Sequence, residues 1–256
     1  MNVLRHGLRF VAAASIILSA GASAAQAESA QPGRWFLTVG GGLQSTSEPA
    51  SHGATFEDPL FGSEAGEWTA DYGGGRGEAF ELSLGFRLAP RWGVGASVSR
   101  LSFSEEVEVT GRIPHPFRFD RMSVVEGVGS GLSRDETTVS AHLMWFIPAG
   151  RKVEFALFAG PTFYEAEQDL VSGIGFDRSY PYDAADLRGV ERSRQSDSPV
   201  GYNLGGELAW YFGRRTGVVA AARYSRSTAH FETAEGCCKP VDVGGLQTSL
   251  GLRVRF

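Results

Sequence analysis

Lysine is almost missing from this 256-residue chain: Lys152 and Lys239 are the only two. The formal net charge is −5, and no basic patch with interleaved aromatics appears. That excludes the electrostatic footprint of a nucleic-acid binder. Histidine is scarce, five residues in all, and shows no metal-ligand spacing. There is no nucleophile elbow and no glycine-rich phosphate loop, so common hydrolase and nucleotide chemistry has no motif to rest on. No cofactor or metal is expected. Cysteine is confined to the adjacent pair Cys237-Cys238. In an oxidising compartment such a pair can close a strained disulfide, stay free or link two chains. Beyond the first twenty residues no run approaches the roughly 20 apolar residues of a spanning helix.

The start of the chain has its own character. Arg5 and Arg9 precede an apolar run over 10–20, and Ala25-Gln26-Ala27 has the small-x-small form of a cleavage site. Residues 1–27 are expected to be a secretory signal peptide removed after Ala27. Its removal moves the formal charge from −5 to −7. The rest, 28–256, is rich in glycine (34 in the whole chain) and aromatics (11%), a composition of strands and turns.

The last eleven residues alternate strictly. Leu246, Thr248, Leu250, Leu252, Val254 and Phe256 fall on one face; Gln247, Ser249, Gly251, Arg253 and Arg255 fall on the other. A tilted strand of roughly 9–11 residues crosses a bilayer core. Seven further segments alternate, near 35–45, 78–88, 91–103, 137–147, 153–166, 201–212 and 217–228. In the third, the phase slips near Leu101 and Phe103, which predicts a bulge. Short turns join segments two and three, four and five, and six and seven. Long polar loops are expected elsewhere, including 46–77 and 167–199. Trp35, Trp92, Trp145, Trp210, Phe212 and Phe256 lie near segment ends, as interfacial girdles do. The expected fold is an all-β, eight-stranded antiparallel transmembrane barrel of up-and-down topology, with four long extracellular loops. A water-soluble sandwich or lipocalin-like barrel is the alternative that alternation alone leaves open.

The terminal strand resembles that of bacterial outer-membrane barrels, and the layout resembles the OmpA, OmpW and opacity-protein superfamily. The resemblance implies that Phe256 is an assembly signal read by the barrel assembly machinery, with periplasmic chaperones as escorts. It also implies outer-membrane lipid and lipopolysaccharide as surroundings, and roles in envelope integrity, surface adhesion toward some ligand, or limited solute passage. From the alternation, Glu81, Arg87, Glu154, Glu207, Arg223, Arg253 and Arg255 face the interior, joined by His142, Asn203, Tyr164 and Tyr211. Eight strands leave room only for side chains, so opposite charges there should pair and plug the lumen. Rearranged pairs would make a gate, and a narrow channel for small or apolar solutes is the second reading. A lipid-modifying barrel enzyme is the third. A PagL-type deacylase would place a histidine beside a serine on a late strand, yet residues 223–227 read RYSRS. No enzyme is expected.

Overall fold

The computed structural model describes residues 34–46, 50–57, 64–150, 152–233 and 236–256, with the side chains of 46, 50 and 231–239 outside the description. The expected signal peptide lies outside the described residues. Eleven strands are described: β1 (Trp35–Thr46), β2 (Ala50–Glu57), β3 (Ala65–Tyr72), β4 (Arg76–Arg87), β5 (Trp92–Pro114) and β6 (Met122–Pro148), then β7 (Val153–Arg178), β8 (Ala184–Asp197), β9 (Val200–Tyr211), β10 (Thr216–Thr233) and β11 (Gly236–Arg255).

Antiparallel pairing runs β1–β4–β5–β6–β7–β9–β10–β11 and returns to β1, so this circuit has no open edge. Each of the eight alternating segments lies in one of these strands. The sheet has eleven strands rather than eight, because β2, β3 and β8 occupy segments expected from the sequence to be loops. The hairpin β2–β3 pairs with the upper part of β5. β8 pairs antiparallel with upper β7 and, briefly, parallel with β6. The reason is visible in β3, where Trp68, Ala70 and Tyr72 are buried and alternate with exposed Glu67, Thr69 and Asp71. Period-two burial of that kind makes a strand, however polar the segment is on average.

The ring has two storeys. In the lower one the outward face is apolar. Its upper limit matches across β5, β6, β7 and β9, where Val98 pairs with Val139, Val139 with Phe163 and Phe163 with Val200, and across β10 and β11, where Tyr224 pairs with Leu246. Beyond this contour the outward residues are Arg100, Glu165 and Arg226. On β11 the band runs from Leu246 to Phe256. That is about 33 Å along the strand, and about 25 Å in height at a tilt of about 40°. In the upper storey the apolar residues turn inward: Trp68, Tyr72, Val107, Val109, Leu132 and Leu170 form one core.

The bulge expected from the phase slip at Leu101 and Phe103 is therefore corrected: the register is unbroken there. Leu101 keeps the phase of Ser97 and Ser99 and is buried like them. What changes there is the face that carries the apolar side chains, not the backbone. The bulge lies further on, where Glu105 pairs with Leu132 but Val107 with Gly129. The extra residue sits on β6, and Gly131 takes φ +77°, a left-handed conformation that suits glycine.

Candidate functional site: the enclosed polar network

Hydrogen bonds between strands that are not neighbours locate the interior of the lower storey. At the turn end, Arg87 on β4 and Arg255 on β11 both reach Glu154 on β7; the Arg255 contact is 2.7 Å. Each guanidinium also lies over a ring, Arg87 over Phe146 at 4.2 Å and Arg255 over Tyr211 at 3.6 Å. One layer deeper, Arg253 grips Glu207 across the ring with two bonds of 2.6 Å. Its Nε donates to Thr38 Oγ1 at 2.8 Å, and Phe36 packs against its face. Arg253 is 1% and Glu207 7% exposed, so this pair is buried.

The next layer centres on Arg223, which donates to Glu81 (3.3 Å), Ser97 Oγ (3.1 Å) and Gln247 Oε1. Gln247 in turn donates to Glu81 at 3.3 Å. Above it, Arg134 holds Glu136 Oε1 with two bonds of 2.9 and 2.7 Å, and Gln44 donates to the other oxygen at 3.2 Å. Glu81, Arg87, Glu154, Glu207, Arg223, Arg253 and Arg255 thus each hold an ion pair with another of the seven. Arg134 and Glu136 join them from just before the fourth alternating segment, which begins near residue 137. The signal is present in the chain: Leu132, Arg134, Glu136, Thr138, Ser140 and His142 share one parity and are all buried.

Buried ions cost several kcal/mol each in desolvation, and only good geometry with further hydrogen bonds offsets it. These pairs have both. In this arrangement each of these charges is held by at least one partner from another strand or from its own.

One constellation has the outline of a nucleophile relay. Ser97 Oγ lies 2.9 Å from His142 Nε2, and His142 Nδ1 lies 3.1 Å from Asn203 Oδ1. Its surroundings argue against reactivity. Arg223 donates to Ser97 Oγ, while the Asn203 amide donates to Gly160 O (3.0 Å) and Thr162 Oγ1 (2.8 Å). Ser97 and Asn203 are 2% and 1% exposed, so no substrate carbonyl meets them in this conformation. The chain of bonds satisfies buried polar groups, as packed interiors require.

The remaining expected sites divide. Phe256 is exposed on the outward face, and its backbone exchanges bonds of 3.0 and 3.2 Å with Trp35, joining the end of β11 to the start of β1. Cys237 and Cys238 fall in β11, with side chains outside the described residues. Among the described residues no group of acids, histidines and cysteines could hold a metal.

No protein-family model and no curated protein matches the chain. Among solved structures it is similar to the Neisserial surface protein NspA, with 12% identity and TM-score 0.48 over 89% of this chain and 100% of that one. It is similar to OprG of Pseudomonas aeruginosa, an outer membrane protein, with 13% identity and TM-score 0.46 over 88% and 97%. It is also similar to the Escherichia coli outer membrane protease OmpT, with 9% identity and TM-score 0.46 over 90% and 99%. These likenesses reach three different proteins, one named a protease and two not, and they give this chain no activity.

Proposed function

We propose that the ring is an eight-stranded transmembrane β-barrel of the bacterial outer membrane with a filled interior. It serves the envelope as a structural and surface-interaction protein, not as an enzyme or an open pore. The observation that carries this reading is the lower storey: an apolar band about 25 Å tall outside, and charge pairs 2.6–2.7 Å long enclosed within. Leu250, Leu252 and Phe80 are 72%, 63% and 69% exposed. In water such a continuous band would be an aggregation surface; in lipid it is the solvated face. Closure of the pairing circuit fits the same medium, since an unpaired edge in hydrocarbon costs several kcal/mol per group. Residues 1–27 are the export signal and Phe256 the assembly signal, with chaperones and assembly machinery as transient partners and lipopolysaccharide as the outer-leaflet neighbour.

The surface role rests on the far end. There the β5–β6 turn, with Phe117 and Phe119, lies beside the β7–β8 turn, with Tyr180, and all three rings are more than 70% exposed. His115 holds the β5–β6 turn from within: its backbone N–H donates to Arg121 O at 2.8 Å, and its Nδ1 accepts from Phe117 N at 3.1 Å. Rigidly held aromatics suit contact with a partner.

Two measurements test the reading together. The purified chain should insert into lipid vesicles and migrate as a compact, heat-sensitive species on gels run without boiling. In planar bilayers it should be electrically silent. Steady single-channel conductance would replace the filled barrel with the channel reading, and failure to insert would remove the membrane reading.

A further inference from the structure

The two ends of the ring differ in charge. The three short turns, 88–91, 149–152 and 212–215, read LAPR, AGRK and FGRR, with five cations and no acid. The other end is dominated by outward carboxylates, Glu67, Asp71, Glu106, Glu108 and Asp177 among them. In a chain of net charge −5, cations gathered at one rim need a reason.

Arg91, Lys152, Arg214 and Arg215 are exposed at that rim. Glu154 stands at the same end, and Arg87 and Arg255 already share it, so the carboxylate leaves no charge over for the other cations. Each of the four is within three residues of an outward apolar side chain. Arg91 adjoins Trp92, whose register partner is Trp145; Lys152 adjoins Val153, the register partner of Trp210; Arg214 and Arg215 follow Phe212. Trp92, Trp145 and Trp210 are 41–49% exposed on the lipid side. The pattern is a ring of indoles with a ring of cations one step beyond. Indoles settle at the glycerol level of a bilayer and long basic side chains extend to the phosphates.

We propose that the turn end is a binding surface for the phosphate groups of anionic phospholipids in the leaflet it faces. Arg91, Lys152, Arg214 and Arg215 are the phosphate contacts, and Trp92, Trp145 and Trp210 seat the glycerol and upper acyl chain. The proposal rests on the membrane-barrel reading, since the cationic rim continues the apolar band. Charge complementarity selects phosphatidylglycerol-like lipids over zwitterionic ones.

The test uses the full chain in vesicles of mixed phosphatidylglycerol and phosphatidylcholine, with the lipids that stay bound after gentle extraction counted by native mass spectrometry. Wild type should retain phosphatidylglycerol in excess of its bulk fraction, less so at high salt. The variant Arg91→Gln/Lys152→Gln/Arg214→Gln/Arg215→Gln should lose that enrichment, at about fivefold per cation for a charge at an anionic surface. A control, Arg112→Gln/Arg118→Gln/Arg188→Gln at the opposite end, should keep it. No enrichment in wild type, equal enrichment in the rim variant, or equal loss in the control would overturn the proposal. Insertion into pure phosphatidylcholine vesicles is scored first. A chain that inserts there yet shows no enrichment refutes the rim alone, while a chain that never inserts refutes the barrel and the rim with it.

Discussion

Val98 and Val107 lie on the same strand and face opposite media. Val98 is 40% exposed on the outside of the lower storey; Val107 is fully buried inside the upper one. Along β5 the backbone alternation continues through both, but the parity that carries apolar residues switches between them. Below the switch, odd positions hold Ser97 and Ser99 against an interior of arginines and carboxylates. Above it, odd positions hold Val107, Val109 and Ile113 against an oil-like core. On the proposed reading the strand records where lipid ends and water begins. The same polypeptide builds an inside-out storey and an ordinary one.

The largest expected effect breaks the lower storey from within. Glu207→Ala strands Arg253 in a buried site, and should cost about 3–5 kcal/mol, as removal of one partner from a buried pair does. The double replacement Glu207→Leu/Arg253→Met removes both charges and should recover most of that loss. Equilibrium urea unfolding in vesicles measures both. Equal cost for the single and double variants would mean that packing, not charge pairing, dominates there.

Next in size is the outer face. Leu250 sits midway along the apolar run of β11, so Leu250→Arg should cost about 2–4 kcal/mol in vesicles. Glu108→Leu, outward in the upper storey, should change stability by no more than about 0.5 kcal/mol. If Leu250→Arg were as mild as Glu108→Leu, both storeys would be facing water and the contrast between them would collapse.

Much of the lower storey is legible in the amino-acid sequence. Strict alternation, with tryptophan on one parity and arginine on the other, places Trp145 and Leu208 outside, and Glu207, Arg223 and Arg253 inside. The upper storey is not legible in the same way. Its strands put charge outward and apolar groups inward, which on average composition reads as polar loop. Glu106, Val107, Glu108 and Val109 alternate as cleanly as the terminal strand, but with the sign reversed. A search for apolar-out strands passes over them. The cross-ring partners are beyond the sequence altogether. That Arg253 meets Glu207, and Arg223 meets Glu81, depends on ring closure and strand stagger, which fix who faces whom across the interior.

A smaller effect tests the joint where the storeys meet. Gly131 provides the extra residue of the β6 bulge at φ +77°. Gly131→Ala should cost about 1 kcal/mol for a side chain in left-handed backbone. Faster hydrogen exchange should then appear in 122–132, with the lower storey unchanged. Loss spread evenly over both storeys would show that they unfold as one unit rather than as two.

The smallest expected effect is a slope against pH in the upper storey. Burial raises the Glu105 carboxyl above its ordinary range, although Arg134 and the N–H of Gly74, 3.1 Å away, pull it back. Between the ordinary value and the raised one, the folded chain keeps a proton that the unfolded chain has released. Stability is therefore full below the ordinary carboxyl range and declines as pH rises through that interval. Asp169 acts in the opposite sense. Burial pushes it up, but bonds from the Ser133 hydroxyl (2.7 Å) and backbone N–H (3.0 Å) outweigh this and lower it. Its contribution is present above the ordinary value and lost as pH falls below. Glu105→Gln should flatten the decline on the rising side and leave the acid-side loss intact; Asp169→Asn should do the reverse. Hydrogen exchange in 104–114 and 122–133, corrected for the intrinsic rate at each pH, separates the two limbs. A decline of unchanged steepness in Glu105→Gln would place its origin in another buried group of this core and not in the carboxylate beside Arg134.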